Sequence, residues 1–496
     1  MGVIVKQSIK GSVYSYIGAA IGFVNTALLF PQFFSPSQIG LVFLLISIGY
    51  IFAQFFGLGF SGVTIRLFPY FQDKNKGHNG FPFIMMGTAF VGMLMFLLVY
   101  YFIRPIIIEQ NSHSQKFIEV VDLIVPIVII EIWFKMLNSY TSALLNAVIG
   151  TFYKEFILRI AISVIIVLFI FKQVDFQLFL YLYVSLQIIP VLALLVNLIR
   201  NGELSLKRIK GFVSPDLRKS MVYTGVVSMV VGLSATGYTY IDKYMINAML
   251  DLSSTGVYTI AFFFGSIIAL PSRALAKIAS IIIAKAWKEN RISEISVIYS
   301  KSSVTQIIIG MFVFIGIMLN IDDIISILGN DYIEGKMVIV YIGLASLCGL
   351  IFGVSSQVIS SSAYYRVLSY FMFIFLICVV ITNYYLIPLY GVTGAAISSL
   401  ISVLFYSLMK YVFVLYKFKM QPFSIKHIIV IVMGALLYFL FYFVPIILEN
   451  HYLNIIVKSL VYSMVFTGFI YKLNISPDVN EKLVFVFKVL KNKVLR

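Results

Sequence analysis

The segment IDKYMINAMLDLSSTGVYTIAFFFGSI (residues 241–267) places a short polar turn between two apolar stretches. The apolar residues do not alternate with polar ones, so they indicate helices and not strands. The same pattern of long apolar runs and short polar turns continues in both directions along the 496-residue chain. Since about 20 apolar residues have the length of a membrane-crossing helix, the segment predicts two neighbouring membrane helices.

Composition excludes an ordinary soluble protein, because 61% of the residues are hydrophobic and only 11% are charged. No polar stretch is long enough for a separate soluble domain. The predicted fold class is all-α, a polytopic membrane protein with about 14 transmembrane helices. Their centres are expected near residues 22, 50, 93, 128, 163, 188, 232, 268, 310, 347, 376, 404, 436 and 462. The first span follows a short leader with no evident cleavage site, so we expect it to be retained.

The distribution of Lys and Arg predicts the orientation of the chain. Placing both termini in the cytoplasm puts most of the 37 basic residues in cytoplasmic segments, whereas the outer loop DDIISILGNDYIE (322–334) is acidic. The net charge of +17 is then a signal of topology and of attraction to anionic lipids, and nucleic acid is excluded as a partner.

Two weak internal similarities predict a duplication. SPSQIGLVF (35–43) resembles LSSTGVYTI (252–260), with Gly40 opposite Gly256, and a second pair places Tyr153–Lys154 opposite Tyr365–Arg366 at nearly the same offset. Repeats of this kind are common in transporters. The predicted domains are an N-terminal six-helix lobe (1–200), a basic cytoplasmic linker (201–216), a C-terminal six-helix lobe (217–416), two extra helices (425–472) and a basic cytoplasmic tail (473–496).

Seven ionisable residues lie within the predicted spans, and five of them are basic. A charge that faces lipid costs about 3 kcal/mol or more, so these groups should face the bundle interior or water. A surplus of positive charge there suits an anion, since Arg and Lys bind phosphates and carboxylates well. We predict substrate binding by Arg66, Lys243, Arg273 and Lys277, and gating or ion-pair roles for Glu131, Lys135 and Asp242.

Several alternatives stay open for these residues. Glu131 and Lys135 are four residues apart and can pair along one helix face. Arg66 and Lys277 can extend toward the cytoplasmic headgroups instead of lining a cavity. Arg273 and Lys277 can also pair with Glu131 or Asp242.

Helix-weakening residues precede a cation in both halves of the chain. FGLGFSGVTIR (56–66) contains Gly57, Gly59 and Gly62 before its arginine, and IALPSRALAK (268–277) contains Pro271 before its two cations. Glycine lowers helix stability and proline removes a backbone hydrogen bond. These four residues are predicted hinges.

No motif for catalysis, a metal or a cofactor is present in the sequence. Cys348 and Cys378 fall within predicted spans, and we interpret them as small buried residues. The segment GNDYIEGKM (329–337) has the wrong spacing for a phosphate-binding loop. The sequence therefore indicates a transporter and not an enzyme.

Two segments resemble a known family. The 241–267 segment, with Asp242–Lys243 ending one helix and Gly256–Val257–Tyr258 opening the next, resembles the seventh and eighth helices of the Wzx-type polysaccharide flippases. These belong to the multidrug/oligosaccharidyl-lipid/polysaccharide exporter superfamily. YGVTGAAISSLIS (390–402) resembles the glycine-rich start of the family's twelfth helix. Lys243 stands where arginine is common in the family.

The resemblance implies two lobes in a V shape around a cationic cavity, in a bacterial inner membrane. It implies export of undecaprenyl-pyrophosphate-linked oligosaccharide repeat units, such as O-antigen units, without a cofactor. A polysaccharide polymerase and glycosyltransferases are the implied partners. The alternatives are a multidrug or cation antiporter of the same superfamily and, less favoured, a membrane-embedded polymerase or ligase.

Overall fold

The computed structural model describes residues 2–112, 114–205, 207, 209, 211–443, 448–477 and 479–481. These residues form helices joined by short connections, with no strand among them. Ten helical runs are long and apolar enough to cross a membrane, and Gly335–Ile351 is a shorter apolar helix. The centre of every predicted span lies in a helical segment, and the all-α polytopic class is confirmed. Residues 478 and 482–496 of the predicted basic tail lie outside the described residues.

The chain divides into two compact units, Met1–Thr259 and Ile260–Arg496. Two π-helical turns join α-helices of the first unit into longer helical runs. They lie at Val24–Leu29 and Phe152–Ile157. Its helices are α1 (Gly2–Phe23), α2 (Phe30–Phe33), α3 (Pro36–Phe56), α4 (Phe60–Phe71), α5 (Phe81–Gln110), α6 (Gln115–Ile118), α7 (Ile124–Ala143), α8 (Ala147–Thr151), α9 (Leu158–Ile170), α10 (Phe176–Leu186), α11 (Ile188–Arg200) and α12 (Pro215–Met249). Helix α13 (Leu252–Ser266) runs across the boundary.

The second unit contains two predicted spans in one continuous helical stretch, which folds back at Gly391. There the φ of +58° suits glycine, and the Thr382 and Ser398 hydroxyls lie 2.5 Å apart on the two antiparallel arms. Its helices are α14 (Leu270–Lys288), α15 (Ile292–Leu319), α16 (Ile321–Leu328), α17 (Gly335–Ile351), α18 (Ser355–Ser360), α19 (Val367–Phe418), α20 (Ile425–Phe443) and α21 (His451–Leu473).

Helix α12 belongs to the first unit because small residues let it approach α3 and α4 closely. A Cβ atom on Gly59 would lie 2.0 Å from the Gly225 carbonyl oxygen, and one on Gly62 would lie 2.0 Å from the Ser228 hydroxyl. Such contacts are typical of membrane helices, which gain little from burying apolar surface against each other. The sequence predicts a different boundary, with the linker at residues 201–216 separating two lobes. That division stays a prediction.

The two segments that the repeat makes equivalent contact each other reciprocally. A Cβ atom on Gly40 would lie 1.9 Å from the Leu252 carbonyl oxygen, and one on Gly256 would lie 1.9 Å from the Pro36 carbonyl oxygen. Pro36 and Leu252 are themselves equivalent at the spacing that separates Gly40 from Gly256. Reciprocal contacts between equivalent positions are the property of a two-fold axis. The duplication of the two lobes stays a prediction.

We expect Gly256→Ala to destabilise the protein by about 1–3 kcal/mol, because the new methyl group meets a backbone carbonyl that cannot move aside. The thermal unfolding temperature of the detergent-purified protein measures this effect. Gly87→Ala is the matched control, since Gly87 lies in α5 with open space around its Cβ position. Equal melting temperatures for the two variants would contradict the close crossing.

The linker after α11 is held against the loop between α4 and α5. Glu203 accepts hydrogen bonds from His78 Nε2 at 2.7 Å and Lys74 Nζ at 2.9 Å, and its carbonyl accepts one from the Tyr140 hydroxyl at 2.7 Å. Burial raises the pKa of Glu203, but the hydrogen bonds from Lys74 and His78 outweigh it and hold the pKa below its usual value. The start of the basic linker is therefore an ordered part of the first unit.

A lowered pKa means that the Glu203 carboxylate stabilises the fold above its unfolded pKa and loses this contribution as the pH falls through the folded value. We expect Glu203→Gln to lower the free energy of unfolding at pH 7 by about 1.5–3 kcal/mol. The difference from wild type should shrink as the pH is lowered below about 4, where the unfolded carboxyl is protonated. Thermal unfolding across pH measures it, with Glu119→Gln as an exposed control, and a difference that does not change with pH would contradict the assignment.

The last helix is attached to the second unit through a buried carboxylate. Asp323 of α16 accepts hydrogen bonds from His451 Nδ1 at 2.8 Å, Asn454 Nδ2 at 2.9 Å and Lys458 Nζ at 2.8 Å, all on α21. Tyr462 and Phe466 of the same helix pack in an apolar cluster with α15, α17 and α20. The two extra helices are thus an integral part of this unit.

Candidate functional site

The first unit holds a cluster of charges among its apolar helices. Glu131 on α7 is 6% exposed and accepts a hydrogen bond at 2.8 Å from Lys154 Nζ, on the π-helical turn at Phe152–Ile157. Lys135 Nζ lies 4.0 Å from the same carboxylate and donates at 2.8 Å to Gln54 Oε1 on α3. Two ammonium groups therefore share one carboxylate, and the group has a net positive charge.

Aromatic rings cover the cations of this cluster. Lys154 Nζ lies 4.0 Å from the centre of the Phe134 ring and 5.1 Å from that of Tyr50. The Tyr50 ring in turn meets Tyr240 of α12 edge-on, with centroids 5.3 Å apart. Aromatic faces attract cations, so the rings partly replace the water that the ammonium group has lost.

A second ion pair follows one turn along the same helical run. Arg159 donates to Glu155 at 2.6 Å and to the Gly18 carbonyl oxygen at 3.0 Å. The Arg159 carbonyl accepts from Asn25, which lies in the π-helical turn of the first helical run. Two widened turns thus meet through polar groups, a feature that is frequent at functional sites.

Glu131→Gln should cost about 3–5 kcal/mol of unfolding free energy, because Lys154 and Lys135 lose their shared carboxylate. Lys154→Met should cost less, since Glu131 keeps Lys135 nearby. Thermal unfolding of the purified variants measures both. The double variant Glu131→Gln/Lys154→Met should be more stable than Glu131→Gln alone, and single-variant losses that simply add in the double variant would show that the charges do not interact.

Asp242 and Lys243 have different hydrogen-bond partners in the structure. The Asp242 carboxylate is buried and accepts a hydrogen bond from the Tyr258 hydroxyl at 2.7 Å. Lys243 is 6% exposed, interacts electrostatically with Asp242, and donates at 3.1 Å to the Thr239 carbonyl oxygen of its own helix. This geometry is that of an internal polar contact, and substrate binding by Lys243 stays a prediction.

The predicted break before Arg66 is present. Helix α3 ends at Phe56, Leu58 and Gly59 adopt positive φ values of 52° and 62°, and α4 begins at Phe60. Arg66 on α4 is exposed and forms no ion pair or hydrogen bond with the residues that the structure describes. Gly59 and Gly62 also serve the contact with α12, and hinge motion at Gly57–Gly62 stays a prediction.

Pro271 has a different local role from the one expected. A 3₁₀ turn at Ile267–Ala269 ends the preceding helix, and Pro271 lies in the first turn of α14. Proline is well tolerated there, because the backbone N–H groups of a first turn have no partner within the helix. The residue therefore lies at the start of a new helix and not inside one, and hinge motion at Pro271 stays a prediction.

Arg273 and Lys277 lie one turn apart on an exposed face of α14, and neither has an ion pair or hydrogen bond among the described residues. A different side of this helix packs Ala279, Ile283 and Ala286 into the second unit. Pairing of the two cations with Glu131 or Asp242, which the sequence leaves open, stays a prediction.

The exposed surface of α14 carries apolar side chains as well as the two cations. At about 100° per residue, Ile278 and Ile282 lie roughly 140–180° around the helix from Arg273. These isoleucines are 58% and 41% exposed. Ile281, four residues after Lys277 and 58% exposed, lies on the side of the cations, so that side carries an apolar residue as well.

Sequence reasoning did not place Lys154, Arg159 and Lys410 within the predicted spans, although all three lie in helical runs. The first two lie in or just beyond a π-helical turn, which shifts the side chains that follow relative to a regular helix and hides their partners from a 3.6-residue pattern. The match of Tyr153–Lys154 to Tyr365–Arg366 was the available signal for Lys154. For Lys410 the helix simply extends farther, to Phe418.

Comparison with known proteins identifies the fold. The chain superposes on a lipid II flippase, MurJ, in an inward closed conformation with a TM-score of 0.74, 14% identity and coverage of 94% of this chain and 100% of that one. It superposes on an inward-facing multidrug resistance MATE family transporter of the MOP superfamily with a TM-score of 0.59, 13% identity and coverage of 84% and 98%. No protein-family model and no curated protein matches the sequence. At this identity the likeness shows that the chain shares the fold of these transporters.

Proposed function

We propose that the protein is a flippase that moves oligosaccharides linked to undecaprenyl pyrophosphate from the cytoplasmic to the outer leaflet of a bacterial inner membrane. Alternating access of two lobes, with both termini in the cytoplasm, would carry the headgroup across. The proposal is supported by the fold shared with the lipid II flippase and by the cationic face of α14. Of these, the unpaired Arg273 and Lys277 carry the most weight.

A pyrophosphate headgroup fits these two cations chemically. The Arg273 guanidinium is able to form two parallel hydrogen bonds with one phosphate, and Lys277 adds a point charge one turn away. Both positive groups lack a competing carboxylate among the described residues. The substrate would supply the counter-charge that the protein does not.

The membrane potential provides a driving force for this export. When a pyrophosphate with about two negative charges moves outward from an inside-negative compartment, roughly 4–5 kcal/mol of free energy is released per 100 mV. The protein's task is then to replace the water around the headgroup during the crossing. No cofactor and no covalent step is required.

A multidrug or cation antiporter is the second candidate, favoured by the likeness to the MATE family transporter. Such a protein needs a carboxylate that is free to bind a cation. The carboxylates well inside the described helices are already engaged, Glu131 by Lys154, Glu155 by Arg159 and Asp242 by Tyr258. The charge pattern therefore favours an anionic substrate.

Translocation of a fluorescent undecaprenyl-pyrophosphate oligosaccharide in proteoliposomes tests the proposal. We expect Arg273→Gln to lower the initial rate at least about tenfold, a loss of about 1.4 kcal/mol, because the bidentate phosphate contact is removed. Arg273→Lys should keep part of the activity. Lys285→Gln on the same helix is the control, since Lys285 is exposed and lies beside Glu289.

An imposed inside-negative potential should accelerate the wild-type protein and have less effect on Arg273→Gln. Full activity of Arg273→Gln would overturn the headgroup assignment. Efflux of a cationic dye, with no movement of the lipid, would instead establish the antiporter.

A further inference from the structure

Helix α19 carries a buried lysine that the proposed site does not use. Lys410 is 8% exposed and lies eight residues from the end of the helix at Phe418, about 12 Å along its axis. Its Nζ atom lies 4.2 Å from the centre of the Tyr406 ring, one turn toward the beginning of the helix. The side chain therefore points away from the nearer helix end, opposite to the direction in which a lysine extends to reach water.

The ammonium group of Lys410 has far fewer partners than it is able to bind. Among the described residues its one hydrogen bond goes to the Ser356 hydroxyl on α18, at 3.1 Å, although an ammonium group has three donors. Among the described residues no carboxylate pairs with it. Burying a lone charge in this way is costly unless an anion joins it.

Hydroxyl groups surround the same point. The Tyr406 side chain lies close to that of Ser356, and both residues are half-buried, so the cluster reaches the surface of the second unit. The neighbouring Ser355 hydroxyl is buried and has no hydrogen-bond partner. Lys410, Ser356 and Tyr406 thus bring hydrogen-bond donors together, and no negatively charged acceptor lies among the described residues beside them.

We propose that Lys410, Ser356 and Tyr406 form a binding site for a phosphate-type anion in the second unit, separate from the cationic face of α14. A phosphate oxygen would accept from the free ammonium N–H groups and from the hydroxyls, since ammonium and hydroxyl donors suit it. The anion would be a free phosphate or pyrophosphate, or the headgroup phosphate of a lipid. Binding at Lys410 does not depend on the proposed transport.

Inorganic pyrophosphate is the first probe, and its binding to the purified full-length protein is measured by calorimetry and by thermal shift. The wild-type protein should bind it and melt at a higher temperature. Lys410→Met should weaken binding at least about tenfold and Ser356→Ala should weaken it less, since one donor of several is lost. Lys417→Met, an exposed lysine on the same helix beside Tyr364, should bind like wild type.

Stability without the anion separates a binding role from a structural one. An unsatisfied buried charge lowers stability, so the apo form of Lys410→Met should melt at the same temperature as wild type or above it. A structural lysine would give a lower melting temperature with unchanged pyrophosphate binding. That result, or an absence of pyrophosphate and lipid effects in the wild type, would overturn the site.

Nanodiscs distinguish the source of the anion. If a lipid phosphate is the occupant, phosphatidylglycerol should raise the melting temperature of wild type relative to zwitterionic lipid, and Lys410→Met should lose this difference. Lys410→Arg keeps the charge and should retain binding. It serves as the test variant if Lys410→Met fails to fold. Pyrophosphate binding that is lost in Arg273→Gln and kept in Lys410→Met would leave the proposed function standing and remove the Lys410 site.

Discussion

A charge inside an apolar helix has to be neutralised, hydrogen-bonded or hydrated, and this requirement organises the interior of the protein. In the first unit, Lys154 and Lys135 share the carboxylate of Glu131, while Arg159 is held by Glu155. These charges stabilise one another and are not available to a substrate without a large cost. The positive groups without a carboxylate among the described residues include Arg66, the two cations on α14 and Lys410, whose described contacts are a hydroxyl and an aromatic ring.

Close approach of backbones is the second constraint, and it acts through glycine. Gly40 and Gly256 meet carbonyl oxygens at each other's helix starts, and Gly59 sits against α12. Neighbouring helices in lipid gain little from apolar burial, so short backbone distances supply contacts that a larger residue would prevent. The reciprocity of the Gly40 and Gly256 contacts links this packing to the duplication that the sequence indicates.

Much of the fold was predictable, because the length of an apolar run sets whether a helix crosses a membrane. Every predicted span centre falls in a helix, the break at Gly57–Gly59 is present, and the polar turn before Gly256 separates two helices. Contacts between distant residues were not predictable in the same way. Lys154 and Glu131 are 23 positions apart, and a π-helical turn sets the direction from which the lysine arrives.

The sequence by itself determined the all-α membrane class, the approximate positions of the spans and the surplus of positive charge, since these depend on composition and local pattern. Only the tertiary structure decided which charges are matched. Glu131 forms its shorter ion pair with Lys154 and not with its helix neighbour Lys135, and Asp242 accepts a hydrogen bond from Tyr258. Arg273 and Lys277 have no ionic or hydrogen-bond partner among the described residues. The physical reason is that a salt bridge depends on distances of a few ångströms between helices, and spacing along one helix does not fix them.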